Sequence, residues 1–565
     1  MAQVSGTLIT RNYANFRGVD FSNRKDEVSL VRSPEALNMW KNYKNSNGRC
    51  VESRPDIEEV ARFTDTIYGL FFYNYDGLKH RIVHSGTNLY DNDEVIYSLM
   101  AEHKSKSFIY NNCLYIKDGT SYLVYDGNTV SAVEGYVPTT SISRSPNGGG
   151  KIYQDVNLLT GIRKNSFVSD GESKEYFVDT ESFDSDYQVK VWIDDVEQTG
   201  GFTVSASTGK ITFTNAPPEP ATTGQDNVVI QFRKTVEGYR DRIDKCTLLE
   251  VFDNRVFFSG NPEYPNMLWH CALDDPSYCS DLDYYKEGID DAEVKALVSG
   301  NNALWVMKSP SQSNTTIFYH TPTIDDDLGK VYPSIHSSIS TGCVSTGINF
   351  NDDICFFSVR GMEAVSGDIT TEQVLRHRST MVDSKLLNEE SYENLILEEW
   401  QGYLLVIVDN HVYLADSREM FTNNTHNEYE WFYWEFDHKI TNTCVDDEIL
   451  YLCSDEKIFT LTKTDTEIEA YWTTLQDEFK YPQYQKTTNK KGCVIDMEGS
   501  SVVVAAKRDN MNYEKIKELK NTKGYVVARI KKKKWKSIQL KFSSYKPFCL
   551  YSSTLEAYVG SYVKR

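Results

Sequence analysis

Apolar residues along this chain come in short runs of alternating or continuous Val, Ile, Leu, Phe, Tyr and Trp, separated by polar corners rich in Asn, Asp and Gly. The stretch 253–270, DNRVFFSGNPEYPNMLWH, shows the pattern. A corner at Asp253-Asn254 is followed by the apolar run Val256-Phe257-Phe258, then by Gly260-Asn261-Pro262. Similar units begin at Phe108, Val298, Phe350, Trp400 and Val445. Each reads as strand, corner, strand, loop, strand, because Asn, Asp and Gly tolerate the dihedrals of a tight hairpin. Corners fall near 254, 301, 352, 402 and 447, spaced by 47, 51, 50 and 45 residues. Several strands per repeat at that period predict a β-propeller; helical solenoids would show a 3.6-residue pattern. The competing reading is a row of β-sandwiches with coincidental spacing. Further corners near 76 and 112 extend the repeat upstream, giving six or seven blades.

The interval of 142 residues between the corners at 112 and 254 is too long for one blade. Ser145-Pro-Asn-Gly-Gly-Gly150 reads as a flexible connector, and alternating segments such as Val189–Ile193, Lys210–Phe213 and Val228–Phe232 then predict a small inserted β-sandwich. The expected organisation is an N-terminal arm over 1–61, first blades over 62–150, the insert over 151–235, remaining blades over 236–466 and a C-terminal β-rich domain over 467–565. Within the arm, Ser33-Pro34 predicts a helix start, with Ser33 as N-cap. The polar stretch 509–523 reads as a loop or short helix.

Composition strengthens the all-β expectation. Phe, Tyr and Trp number 26, 37 and 9, and large rings favour pleated, half-buried surfaces. The net charge of −21 argues against a surface that seeks nucleic acid or anionic lipid throughout. Eleven scattered cysteines without a CxxC pair fit small core residues in a reducing compartment. The start of the chain lacks a basic, then apolar, leader pattern, and the longest apolar run, Tyr403–Val408, falls short of the ~20 residues of a membrane span. A soluble protein made in a cytoplasm, without membrane insertion, is expected.

Candidate chemistry is sparse. His80 and His84 have HxxxH spacing, but Arg81-Ile82-Val83 reads as strand, which would separate them by about 13 Å. His270, Cys271 and Cys279 lack further convergent ligands and read as core. Ser205–Phe213 resembles the Asp-box of sialidase propellers but lacks its aspartate, so a hairpin turn is expected. Asp290-Asp291 and Asp325-Asp326-Asp327 read as solvated loop acids, since a glycosidase pair needs two carboxylates about 5–9.5 Å apart across a cleft. No nucleotide-loop, serine-hydrolase or zinc-protease motif occurs. Catalytic residues, cofactors and metals are not expected. Two features remain as contact candidates. Lys531, Lys532, Lys533, Lys534 and Lys536 form a basic run that could face phosphate, dock an acidic neighbouring subunit, or guard an edge strand. Asn261, Pro262, Tyr264 and Pro265 form a stiff loop suited to a subunit interface.

Phe16-Arg-Gly18-Val-Asp20, Ser33-Pro34-Glu-Ala36-Leu-Asn38-Met39, Gly209-Lys-Ile-Thr-Phe, Ala216-Pro-Pro, Asp253–Asn266 and Leu273-Asp-Asp-Pro-Ser-Tyr278 together resemble the tailed-phage stabilisation proteins of Gram-positive prophages. More distantly, the chain resembles packaged-DNA stabilisation and tail-nozzle proteins of short-tailed phages. The resemblance spans most of the chain and brings no catalytic residues with it. It implies a virion component at the head–tail junction or in the tail, a ring (a hexamer being usual) around the DNA channel. Its partners would be copies of itself, portal, adaptor or other tail proteins, and genomic DNA passing without sequence-specific binding. A host-surface glycan-binding tail protein is the alternative, and a propeller glycosidase a third reading.

Overall fold

The computed structural model describes residues 6–45, 48–311, 315–325, 329–366, 374–423, 426–463, 467–531 and 533–562. Among them the only helical elements are Tyr239–Asp244, Asp383–Leu386 and one 3-10 turn, Ala206–Thr208. The fold is all-β, and its recurring element is the four-stranded propeller blade. The chain divides into two compact units, Phe71–Ser340 and the pair of segments Met1–Leu70 with Thr341–Arg565.

The first unit carries four such sheets. They run from Ile67–Tyr75 (which begins across the unit boundary) to Glu94–Tyr97, from Lys106–Tyr110 to Val130–Ala132, from Leu248–Phe252 to Tyr284–Lys286, and from Val294–Gly300 to Ser334–His336. Leu248–Phe252 lies beside both Lys106–Tyr110 and Val294–Gly300, so neighbouring blades meet through their first strands. The second unit carries three blades, starting at Cys343–Phe350, Ile396–Trp400 and Asn442–Asp446, and these first strands also adjoin in order. The last of them gains its outer strand from far upstream: Asp56–Arg62 pairs antiparallel with Lys457–Lys463. Seven blades therefore stand among the described residues.

The corners explain the repeat. Asp76-Gly77, Asn111-Asn112, Asp253-Asn254, Asn301-Asn302, Asn351-Asp352, Gln401-Gly402 and Asp447-Glu448 all have positive φ at both residues. That is the geometry of a two-residue hairpin whose twist matches its strands, and Asn, Asp and Gly enter it at least cost. The apolar runs are the second strands. Ala303–Lys308 and Tyr403–Val408 are buried at every position.

The insert is a two-layer sandwich of a six-stranded and a three-stranded sheet. Phe167, Tyr176, Val191, Ile211, Phe213 and Ile230 belong to its own core. Its first strand is Thr139–Arg144, and the expected flexible connector is instead a tight turn within it. Ser145 and Gly148 bridge each other, and Gly150 (φ +75 to +110 across 148–150) sits against the Arg144 side chain and the Ile142 carbonyl.

Two further expectations fail. No helix follows Ser33. Ala36–Leu37 and Met39–Trp40 are strands, split by Asn38 at φ 53. Ala36 pairs with Trp472 and Met39 with both Ser53 and Tyr433. Asn38 Oδ1 accepts from Arg54 Nε and the Glu435 amide, each at 2.9 Å. Long-range pairing overrides the local cap signal, because it satisfies the same backbone groups and buries Trp40 against Trp400 and Trp434. Likewise, most of 509–523 belongs to a strand, Glu514–Ala528. The C-terminal residues form no isolated domain. Phe548–Tyr562 pairs with Leu8–Ala14 and Val51–Ser53, and through Met39–Trp40 the sheet continues into the blade strand His426–Glu435.

Candidate functional site

Between residues 486 and 546, seventeen Lys and Arg stand against five Asp and Glu, in a chain of net charge −21. This basic segment forms a long ribbon. Tyr484–Arg508 pairs with Glu514–Ala528 from Cys493↔Ala528 to Ala506↔Glu514. Ten residues of straight strand would span about 33 Å. Yet Lys517 Nζ donates to the Val527 carbonyl at 3.0 Å. The ribbon therefore doubles back on itself, with Asn521 (φ 44) and Gly524 (φ 91) at the bend. Inside the fold lies a groove of about 1080 Å³, floored by Val494, Ile516 and Val526 and flanked by Lys490, Lys517 and Arg529. Among the described residues Glu514–Ala528 pairs with Tyr484–Arg508 alone and no strand lies on its other edge, and Lys515, Lys517, Lys520 and Lys523 stand exposed on it.

The sequence-identified lysines adjoin this ribbon. Lys534–Trp535 is a short strand paired with Lys486 and Thr487. Trp535 is buried, edge-on to Phe479 at 5.3 Å, and its indole N–H donates to Thr488 Oγ1. Beneath it, Lys486 Nζ donates to the Lys536 carbonyl at 2.6 Å, and burial pushes that ammonium down to about 8. Lys533 bonds Glu514 at 3.0 Å; Lys533, then Arg508, holds the Glu514 carboxyl at about 2. Lys531, Lys534 and Lys536 are exposed, and among the described residues no ion pair engages their ammonium groups. Lys532 lies outside the described residues. The run itself was legible in sequence. The lysines at 515, 517, 520 and 523 were missed because their strand was read as a loop; the alternation Lys515-Ile516-Lys517 was the available signal.

The stiff loop is not the uniform contact surface expected. Asn261 is fully buried. Its amide donates to the Asp241 and Arg242 carbonyls at the end of the helix Tyr239–Asp244, and its Oδ1 accepts from the Glu263 amide. It holds the loop rather than a partner. Pro262 is exposed, Tyr264 is partly exposed and packs edge-on against Trp269, and the Pro265 carbonyl accepts from the Val294 amide.

Other candidates resolve into structure. His80 bonds Asp91 at 2.6 Å, while His84 is buried between Ser105 and the Gly86 carbonyl, so the two histidines serve different partners. Burial lowers His84 and His270 to about 4 and lifts the Cys271 thiol to about 12. Cys246, Cys271 and Cys279 share one apolar core. Ser205–Phe213 is the hairpin expected. Asp290 accepts from buried Lys308 and from Ser311. Asp325 ends an exposed strand; Asp326 and Asp327 lie outside the described residues.

One constellation had no sequence signal. His377 Nε2 meets Asp383 at 2.7 Å and Nδ1 meets Glu363 at 3.3 Å, while Arg360 pairs with Glu363 at 3.0 Å. Burial opposes protonation of His377, but Asp383 and Glu363 outweigh it and lift the imidazole to about 9. A shallow pocket of about 400 Å³ opens here. The imidazole occupies the gap between the two carboxylates, where a hydrolase would need water or substrate.

No known protein family matches the chain, and no curated protein matches it. Solved structures do. BamB from Moraxella catarrhalis aligns at 12% identity over 72% of this chain and 97% of its own, with a TM-score of 0.33. A putative exported protein from Bacteroides fragilis aligns at 9% over 68% and 83%, with a TM-score of 0.28. An exo-β-1,3-galactanase from Phanerochaete chrysosporium aligns at 6% over 81% and 96%, with a TM-score of 0.20. Likeness this weak carries no argument about function, and the blade assignment rests on the sheets themselves.

Proposed function

We propose that this protein is a non-enzymatic structural subunit of a tailed-phage particle, at the head–tail junction or in the tail, where copies associate around the DNA path. The carrying observation is the charge polarity: an exposed lysine ribbon on a chain that is otherwise strongly acidic. A ring built by head-to-tail contact needs two different, complementary surfaces on each subunit. A basic edge facing the acidic surface of the next copy meets that need, and it favours this role over phosphate binding for the ribbon. The phage assignment comes from the family resemblance of the 16–39, 209–218 and 253–278 motifs. The preoccupied carboxylates around His377 favour a scaffold over a glycosidase.

Electron microscopy of purified protein and of antibody-labelled virions tests the proposal. Expected are closed rings of the free protein and label at the head–tail junction or tail. A chain that stays monomeric at low salt, or particles without label, would overturn it. The glycan-binding alternative predicts instead that a fragment covering 139–235 binds host cells, and the glycosidase reading predicts release of sugar from cell-wall material.

A further inference from the structure

Three metal-capable side chains converge where Val51–Ser53 pairs with the C-terminal strand Phe548–Tyr562. In that ladder Val51 lies opposite Leu550 and Glu52 opposite Cys549. Cys50 and Glu52, two residues apart, point to the same face, and Cys549 joins them from across the ladder. The sulfurs of Cys50 and Cys549 and a carboxylate oxygen of Glu52 all lie within 4.8 Å of one another. Glu52 Oε2 is 3.5 Å from Cys549 Sγ and 4.0 Å from Cys50 Sγ.

These spacings are close to those of a coordination polyhedron: the Cys549–Glu52 separation of 3.5 Å equals a ligand–ligand edge, and the Cys50–Glu52 separation of 4.0 Å is slightly longer. A tetrahedral zinc with Zn–S of ~2.3 Å and Zn–O of ~2.0–2.2 Å has S···O edges of about 3.5 Å and S···S edges of about 3.8 Å. The cluster is also accessible. Glu52 and Cys549 line a surface cavity of about 710 Å³, and Cys50 lines another of about 500 Å³. The Asn45 amide reaches Glu52 Oε2 at 2.6 Å and lies 3.5 and 3.8 Å from the two sulfurs, so a polar group already covers a further side of the cluster. Nothing in blade formation requires these residues. Among the described residues, other thiols, such as Cys355 and Cys453, are buried with no second thiol and carboxylate gathered around them.

We propose that Cys50, Glu52 and Cys549 bind one thiophilic divalent cation of the zinc class, with the fourth position left to water. Binding releases the thiol protons to solvent and leaves two thiolates and one carboxylate on the ion. The bound ion would fasten the later part of the N-terminal arm to the C-terminal strand. Two thiols this close could instead oxidise to a disulfide, losing two electrons to an external oxidant; that outcome is distinguishable.

The test uses the full chain, reduced and stripped with chelator, then titrated with Zn²⁺ or Cd²⁺. Expected are one ion per chain, a thiolate-to-cadmium absorption band, and protection of two thiols from a thiol reagent when zinc is present. Cys50→Ser or Cys549→Ser should each abolish the band and weaken cadmium binding by more than the ~10–100-fold typical of losing an outer hydrogen-bond partner. Cys113→Ser, at a half-buried cysteine remote in sequence, should leave stoichiometry unchanged. If the serine variants fail to fold, thiol protection in the unmodified protein still decides. Sub-stoichiometric metal, no thiol protection, or a native mass lower by two protons would overturn the proposal.

Discussion

Single residues here act mainly through backbone geometry and buried charge. Gly18 has φ 101, and a Cβ built there would collide with the backbone carbonyl of Trp431, which accepts the Val19 amide at 2.7 Å. Neither segment can move without losing that bond, so Gly18→Ala should cost at least about 2 kcal/mol, read as a lowered urea midpoint. His377 carries a pH dependence. Its folded-state value of about 9 lies above the ordinary 6.5, so its imidazolium contributes fully below about pH 6.5. That contribution fades as pH rises towards 9, because between the two values the folded chain holds a proton the unfolded chain has released. The facing groups are Arg360, Glu363, Ser379 and Asp383. At most about 3 kcal/mol is involved. Denaturation midpoints of the native chain and His377→Gln should differ at pH 6 and converge above pH 9. Equal differences at both ends would disprove the linkage.

At the scale of elements, the blade that begins at Asn442 is completed by a strand nearly 400 residues earlier in the chain. Arg62 lies directly opposite Lys457 in that ladder. Opposed strand positions fall within the Cα range that a disulfide spans. The double variant Arg62→Cys/Lys457→Cys should therefore oxidise to an intramolecular bond and raise the thermal midpoint, as expected when a long loop is closed. Failure to cross-link under oxidising conditions would mean the outer strand is not seated in this register. The C-terminal ribbon follows a different logic. Among the described residues no second strand pairs with its outer strand, Glu514–Ala528, and exposed lysines discourage indiscriminate strand addition there while leaving room for a chosen acidic partner.

For the molecule as a whole, the separation of charge predicts how copies meet. Contacts between a lysine ribbon and acidic surfaces weaken with salt, since the screening length falls from ~10 Å at 0.1 M to ~3 Å at 1 M. Light scattering should find assemblies at 0.1 M salt and smaller species at 1 M. The triple variant Lys531→Glu/Lys534→Glu/Lys536→Glu should remain folded, since these side chains are exposed, but assemble poorly even at low salt. Salt-independent association, or unimpaired assembly of the variant, would move the contact elsewhere.

The blades were readable from the chain because both of their determinants are local. A two-residue corner such as Asn301-Asn302 needs residues that tolerate positive φ, and a run such as Leu404–Val408 needs apolar side chains throughout, wherever the strand eventually packs. The sandwich core and the thiols at 271 and 279 were legible for the same reason. Other features depend on partners hundreds of residues away. Ser33-Pro34 looks like a helix start until Trp472 and Tyr433 supply strand partners, and Asn261 looks like an interface residue until the Asp241 and Arg242 carbonyls claim its amide. The doubled-back ribbon, the outer strand at Asp56–Arg62 and the meeting of Cys50, Glu52 and Cys549 likewise arise from pairings between distant segments. Sequence thus determined which stretches become the strands of the blades and of the insert, and where the blades turn. Tertiary structure decided which strands pair and which charges and thiols are brought together, because hydrogen-bonded ladders are filled by whichever segment the rest of the fold delivers.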